Sequence, residues 1–162
     1  MARVLLVQAN PLVNLVYSVD QAVGEGCANR RDDVLLVQFL LRTLREDTEE
    51  NGVKYPGFRP PGQDPIDIDG VFGPQTNKYI RFFETELNRQ RANQIEAAKV
   101  VTDGRIDPIA SGGFYGSLSH KIYKMFLLNT YYAEIKGKPM HEKIYMDTSF
   151  PKELAKWLFM AH

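Results

Sequence analysis

The chain has one cysteine, three histidines and no surplus of positive charge. Disulfide-bonded, metal-binding and nucleic-acid-binding proteins commonly depend on cysteine, histidine and positive charge, respectively. Its 162 residues include one cysteine, Cys27, so no disulfide can form within the chain. The three histidines lie far from Cys27 in the sequence, and we interpret this cysteine as a small buried or loop residue. Lys plus Arg equals Asp plus Glu, at 20 each. This balance argues against a nucleic-acid binder, whose affinity comes from surplus positive charge, and against attraction to an anionic membrane surface.

The chain also has no long apolar run. Its first apolar stretch, residues 4–7, is followed by Gln8, Asn10 and Pro11. That stretch is too short for the core of a secretory signal peptide and far too short to span a bilayer. We therefore expect no membrane insertion and no conventional N-terminal export signal, and composition alone assigns no localisation.

Sequence patterns of the common cofactor and catalytic sites are absent as well. His141-Glu142 has no second histidine four residues after the first, so the helical zinc-site pattern is missing. Gly24-Glu25-Gly26 lacks the rest of a dinucleotide- or phosphate-binding glycine loop. No Gly-x-Ser-x-Gly nucleophile elbow occurs. We expect no metal, no cofactor and no catalytic residue.

Four aspartates in predicted loops are the strongest candidates for acid–base chemistry. Glycoside hydrolysis needs two carboxyl groups about 5–10 Å apart across a cleft. Asp before Gly, however, is the residue that tight turns select, because its side chain bonds to the backbone of the turn. We favour the turn interpretation and keep hydrolysis as an alternative. The four residues are Asp67, Asp69, Asp103 and Asp107.

Apolar periodicity predicts a mainly α-helical protein with three principal helices. Residues 34–44 carry apolar side chains at spacings of three and four, after a predicted N-cap at Asn29. A second helix is predicted over 74–99, because proline suits the first helical position. A third is predicted over 117–135, capped by one of its serines, with Gly137 as its C-terminal stop.

The segments around these helices differ in composition. Residues 1–20 hold two runs rich in Val, Leu and Tyr, which predict two short strands or an extended N-terminal arm. Residues 51–65 are rich in proline and glycine and predict a loop longer than most connections inside a domain. Pro151 opens a predicted short helix. We divide the chain into the arm, a helical domain over 21–135 and a C-terminal extension over 136–162.

A motif between the first two predicted helices, Asp69-Gly70-x-Phe72-Gly73-Pro74-x-Thr76, combines a tight turn with a helix start. It follows Val37-Gln38-x-Leu40-Leu41 and precedes an aromatic-bearing helix with Ile80-x-Phe82-Phe83. In this order the residues resemble the signature of the peptidoglycan-binding domain family of bacterial cell-wall proteins. The stretch over 103–113 echoes the Asp-Gly turn and is similar to the tail of some family members. The motif residues are Asp69, Gly70, Phe72, Gly73, Pro74 and Thr76.

The resemblance covers about residues 24–130. It implies a three-helix bundle that binds peptidoglycan without cutting it, and hence a place in the cell envelope. Three features depart from the family: the loop before Asp69 is longer, Phe83 stands where many members have Gln, and the residues after the third helix are too few for an enzymatic domain. The last of these departures favours a stand-alone protein or a structural component over a targeting domain of a hydrolase.

A sugar–peptide ligand would need a shallow groove with aromatic faces and a few polar groups. On the second helix we expect Tyr79 and Arg81 to contact it, since a guanidinium pairs with a stem-peptide carboxylate through two hydrogen bonds. On the long loop we expect Tyr55, Phe58 and Arg59 to contribute. The alternative for Tyr79 is core packing, and for the loop residues a packed or disordered loop.

Two other functions stay open at this point. The fold can serve as an adaptor in a phage tail or a secretion apparatus, with the N-terminal arm and C-terminal helix as docking elements. An exposed apolar patch that includes Tyr131, Tyr132 or Trp157 would favour that function. A small peptidoglycan hydrolase is the third possibility, and a cleft holding two acids in opposed environments would favour it.

Overall fold

The structure, a computed structural model, describes residues 1–6, 13–44, 48–50, 53–55, 57–110, 113–116 and 119–159. In this part of the chain the fold is mainly α, as predicted, with five α-helices. The α-helices are α1 (Arg31–Thr43), α2 (Pro74–Gln90), α3 (Lys124–Lys136), α4 (Lys138–Glu142) and α5 (Lys152–Phe159). Two single 3₁₀ turns cover Glu96–Ala98 and Ile144–Met146.

The strands are short and form antiparallel pairs. The strands are β1 (Arg3–Leu6), β2 (Leu15–Ser18), β3 (Val23–Gly24), β4 (Thr48–Glu50), β5 (Val53–Tyr55) and β6 (Arg105–Ile106). The described pairs are β1–β2, β3–β6 and β4–β5, each with two strands. The β3–β6 pair joins residues more than 80 positions apart, with Val23 opposite Ile106, so it draws the second Asp-Gly turn against the start of the domain.

Helix α1 forms the centre of the core. Its residues from Asp32 to Leu41 are all buried, because α2, α3, α5 and β3 all pack against it. The spacing of its apolar residues predicts one wide buried face. The packed elements also cover the opposite face of the helix. Helix α5 starts after Pro151, as predicted, and places Leu154 in the same core.

The N-terminal hairpin is built into the core. Val16 and Tyr17 of β2 are buried, and Val4 of β1 lies opposite Tyr17 in the register. The side-chain amide of Asn129 on α3 accepts from the Tyr17 backbone N–H and donates to the Tyr17 carbonyl, both at 2.8 Å. An amide side chain thus satisfies the outer edge of β2, where a third strand would otherwise pair. The predicted pair of strands is confirmed, and it shares its core with the helices.

The start of α1 corrects the predicted N-cap. Asn29 has a left-handed φ of 48°, and its side chain bonds to the N–H and C=O of Gly24 at 2.8 Å. It therefore closes the turn after β3, a local bond that asparagine offers in competition with helix capping. Helix α1 begins two residues later, after Arg30, which makes no side-chain cap.

Two further helix boundaries differ from the predictions. Helix α2 ends at Gln90 instead of near residue 99, because the side chain of Asn88 binds the N–H and C=O of Val100 and returns the chain along the helix. Helix α3 begins at Lys124, well after the serines expected to cap it. Before this helix, Tyr115 and Ile122 instead form an isolated antiparallel bridge. Residues 117 and 118 lie outside the described part, whereas the predicted stop at Gly137 is confirmed.

His141 is a buried, neutral histidine beneath the hairpin. Its Nε2 lies 3.0 Å from Oδ1 of Asn129, and its Nδ1 is buried without a hydrogen-bond partner in the described part. The ring packs edge-on against Tyr17, with centroids 5.3 Å apart. Burial lowers the pKa of His141 to about 4. The imidazolium form has no compensating charge here.

We expect His141 to make the fold sensitive to acid. The unfolded chain binds this proton near pH 6.5 and the folded chain near pH 4, so stability is lost as pH falls through this window. The loss by pH 4 is about 3 kcal/mol. Urea unfolding from pH 7.5 to 4 measures it, and His141→Gln should flatten the acid side of the profile whereas His120→Gln, at an exposed position, should not. An unchanged profile in His141→Gln would contradict this assignment.

Candidate ligand-binding site

The turn at Asp69 and Gly70 is held by one side chain of α1. Gln38 is buried, and its Oε1 accepts from the backbone N–H groups of Asp69 and Gly70 at 3.1 and 2.8 Å. Its Nε2 donates to Asp69 Oδ1, to the Val71 carbonyl and to Thr76 Oγ1, at 2.9 to 3.1 Å. Gln38 therefore joins α1 to the turn that precedes α2.

Gly70 occupies a position where a side chain does not fit. Its φ is +71°, in the left-handed region that favours glycine. A Cβ at this position would lie 2.9 Å from Cγ of Arg31 on α1. The Asp69 carboxylate completes the turn by accepting from the Val71 N–H at 2.9 Å. This hydrogen bond, together with the one from Gln38, holds the pKa of Asp69 below its usual value despite slight burial.

The second Asp-Gly turn has the same construction on α2. Glu84 is buried, and its carboxylate accepts from the Gly104 N–H at 2.9 and 3.1 Å. Asp103 accepts from the Arg105 N–H at 3.0 Å, as Asp69 does from Val71. Gly104 has a φ of +73°, and a Cβ there would lie 2.9 Å from Cζ of Arg81. In each turn, an arginine side chain covers the glycine, and a polar side chain of a helix accepts a hydrogen bond from the glycine N–H.

The two turns differ in charge. Glu84 stands where the first turn has the neutral Gln38, and it binds Nζ of Lys124 at 2.7 Å. The same ammonium donates to Asp103 Oδ1 at 2.7 Å and to the Val101 carbonyl at 2.8 Å. The side chains of Lys124 and Glu84 are 4% and 3% exposed, so this is a buried ion pair at the start of α3. Its three acceptors use all three N–H donors of the ammonium.

A cleft of about 470 Å³ opens beside this second turn. One wall comes from the turn and the residues after it, and the other from the loop before α3 and the first residue of that helix. Carboxylates, ammonium groups and a hydroxyl share the lining with apolar side chains. The lining residues are Val101, Asp103, Asp107, Pro108, Gly116, Ser119, Lys121, Ile122, Tyr123 and Lys124.

The two carboxylates of the cleft have opposed environments. Burial acts to raise the pKa of Asp103, but the hydrogen bond and the charge of Lys124 outweigh it and leave this pKa below its usual value. Asp107 is half-buried, and burial together with the nearby charge of Asp103 raises its pKa. Asp107 makes no hydrogen bond or ion pair with any residue that the structure describes. It is the carboxylate of the cleft that can accept a new partner.

Lys121 is the cation of the cleft that remains available. Its Nζ lies 3.5 Å from Glu96, whose side chain is 73% exposed and pairs more closely with Lys99, at 2.6 Å. Such an exposed, long pair contributes little. The cleft also lies at the N-terminus of α3, where no first-turn acid offsets the partial positive charge of the helix.

The residues expected to bind a ligand lie elsewhere, and two of them are buried. Tyr79 has no exposed surface and its hydroxyl donates to the Asp64 carbonyl at 2.6 Å, so the ring packs in the core. Phe58 is also buried and packs on Phe83 and Tyr131, with ring centroids 4.9 and 5.3 Å away. Because neither ring face is accessible, these two expectations are corrected to core positions.

The remaining expected contacts lie on different elements of the fold. Arg81 is exposed, covers Gly104 and pairs with Glu25 at 3.3 Å, so it belongs to the second turn. Arg59 is exposed, next to the buried Phe58. Tyr55 ends β5, and its side chain lies outside the described part.

Sequence reasoning named the acids of the cleft but missed its lysines. Asp103 and Asp107 stood out through the echo of the first Asp-Gly turn. No sequence pattern marked Lys121 or Lys124 as a residue of the site. Lys124 does begin a helix that is otherwise apolar through Leu128, and a lysine at such a position suggests a buried partner. That partner, Glu84, lies 40 residues earlier in the chain.

None of the helices in the described ranges is long and apolar enough to cross a bilayer. No group of three His, Cys, Asp or Glu side chains among the described residues is placed to hold a metal ion. Comparison with protein-family models, with curated proteins and with solved structures finds no match to this chain.

Proposed function

We propose that the protein binds bacterial peptidoglycan without cutting it, through a three-helix module of the peptidoglycan-binding type formed by α1, α2 and α3. The observation that carries this proposal is the cleft beside the second Asp-Gly turn, which lies on the module whose first turn has the signature motif. The ligand occupies this cleft in place of the groove expected around Tyr79. The proposal puts the protein in the cell envelope.

The cleft has the mixed lining that a sugar–peptide ligand requires. Its volume of about 470 Å³ accommodates one sugar ring or a few amino-acid residues. Pro108, Ile122 and Tyr123 give apolar surface for the faces of a sugar or for a peptide side chain. Asp107, Lys121 and Ser119 supply an acceptor, a charged donor and a hydroxyl for amides and end groups. The zero net charge of the chain fits a ligand with both signs of charge.

Co-sedimentation with insoluble peptidoglycan sacculi tests the proposal. We expect the protein to pellet with the sacculi and the double variant Asp107→Asn, Lys121→Gln to bind at least about tenfold more weakly, the loss that 1.4 kcal/mol of binding free energy represents. The matched control is Asp67→Asn, Lys78→Gln, which makes the same chemical changes at exposed positions outside the cleft. A protein that stays in the supernatant, or equal loss in both double variants, would contradict the proposal.

Hydrolysis of the wall is the second candidate, since Asp103 and Asp107 border one cleft with pKa values displaced in opposite directions. That pattern is typical of paired catalytic acids. Asp103, however, is engaged by Lys124 and by the turn. Release of soluble fragments in the same experiment, abolished by Asp107→Asn, would establish hydrolysis and replace the binding proposal.

The adaptor function receives less support from side-chain positions. Tyr132 is buried and its hydroxyl donates to Asp147 at 2.8 Å, and Tyr131 packs against Phe58. Trp157, at 48% exposure, is the exposed member of the three residues expected to form an apolar patch. The N-terminal hairpin, expected as a docking arm, contributes to the core.

A further inference from the structure

The cleft contains one carboxylate and one ammonium group that have no strong partner among the described residues. Asp107 is half-buried and makes no hydrogen bond or ion pair with the described residues, so part of its hydration is lost without a replacement. A cationic group that entered the cleft would restore this interaction. Arg105 and Lys124 both influence Asp107 through their charge, but neither lies within bonding distance of it.

The cationic side of the cleft offers a complementary contact. Lys121 has a single long contact with Glu96 in the described part, and it can turn to a carboxylate at little cost because that contact is exposed. Ser119 accepts from the Lys121 backbone N–H at 3.3 Å, which leaves its O–H available as a donor. Lys124 is not part of this contact, because its three donors are used by Glu84, Asp103 and the Val101 carbonyl.

We propose that the cleft recognises a free amino-acid end, in which an ammonium and a carboxylate are attached to the same carbon, with the ammonium on Asp107 and the carboxylate on Lys121 and Ser119. This inference rests on the proposed function and specifies which part of peptidoglycan is bound. A diamino acid in the stem peptide can present such an end when it is not cross-linked. A glycan strand carries no ammonium, so sugars alone do not satisfy Asp107.

A titration with a small zwitterion tests this recognition. The probe is meso-diaminopimelate, a diamino acid with a free amino-acid group at each end, and binding is followed by backbone amide chemical shifts of the full chain. We expect shifts at residues 103–108 and 119–124. The probe acetylated on both amino groups (the N-acetylated probe) and the probe amidated on both carboxylates should each bind at least about tenfold more weakly. Equal binding of the free and N-acetylated probes would overturn the inference.

Two single variants assign the contacts. Asp107→Asn should lose the preference for the free over the N-acetylated probe, and Lys121→Gln the preference for the carboxylate over the amide. Since neither side chain holds the fold through a strong contact, melting temperatures should stay within about 2 °C of the wild-type value, as for other surface substitutions. Unchanged preferences in both variants would place the probe elsewhere and overturn the inference.

Acetylated sacculi separate this inference from the proposed function. If the protein pellets with untreated sacculi and pelleting falls after acetylation of their free amines, both are supported. If pelleting is unaffected by acetylation, the amino-acid end is not the ligand, while peptidoglycan binding remains. If the protein pellets with neither preparation, the proposed function fails, and the probe titration alone decides whether the cleft binds a zwitterion.

Discussion

Replacing Lys124 by Met is expected to lower the free energy of unfolding by about 3–5 kcal/mol, because the carboxylate of Glu84 is then buried without its counter-charge. Both side chains are almost completely buried, at 4% and 3% exposure. Burial already raises the pKa of Glu84, and the hydrogen bond and charge of Lys124, which act to lower this pKa, are both lost in the variant. Methionine fills the volume of the lysine stem, so the loss reports the charge and not a cavity.

A double variant separates the ion pair from simple packing. Lys124→Met combined with Glu84→Gln should recover much of the lost stability, since the glutamine oxygen can still accept from the Gly104 N–H and no buried charge remains. The free energies come from urea unfolding at pH 7. Lys152→Met, at an exposed position on α5, is the control. A loss below about 1 kcal/mol in Lys124→Met, the value of an exposed ion pair, would contradict a structural role for the pair.

Gln38→Glu is expected to destabilise the fold by about 3 kcal/mol at pH 7, since the change removes buried hydrogen bonds and brings a second carboxylate to Asp69. The Nε2 of Gln38 donates to three acceptors, one of which is the Asp69 carboxylate at 2.9 Å. A glutamate has no donor for them, yet it is isosteric, so packing of α1 is unaffected. The substitution therefore tests the hydrogen bonds and the charge at the turn without changing the packing of α1.

The pH dependence gives this prediction a signature. The introduced carboxyl lies in a buried site beside Asp69, so its folded-state pKa is raised above the unfolded value. Protonation restores a donor and removes the repulsion, and the stability deficit of Gln38→Glu should shrink as pH falls from 7 toward 4. Gln94→Glu, at an exposed position after α2, should show no such deficit. A deficit that is the same at pH 7 and pH 5 would count against the assigned network.

Several elements could be predicted from local sequence because their causes are local. The apolar spacing in α1, the proline that opens α2 and the glycine that ends α3 act within one or two turns of helix. The hairpin of β1 and β2 likewise follows from two adjacent runs of strand-forming residues. Where a side chain had two local options, as at Asn29, the pattern did not decide between capping a helix and closing a turn.

Local sequence patterns did not predict where α2 ends or where α3 begins. Helix α2 ends at Gln90, and the side chain of Asn88 binds Val100, twelve residues further along the chain. The loop before α3 is held by a bond from the Ile122 N–H to the Ala97 carbonyl, so it depends on where the preceding segment lies. Neither contact is visible from hydrophobic periodicity, which reports one element at a time.

The sequence by itself determined the helical class, the first Asp-Gly turn and its place before α2, because each rests on interactions between residues close in the chain. Only the tertiary structure decided that Gln38 and Glu84 hold the two turns, that Tyr79 is buried, and that Asp107 and Lys121 border one cleft. These residues meet through the packing of α1, α2 and α3. Their burial and charge environment arise from segments 14 to 40 residues apart, and no local pattern encodes such distances.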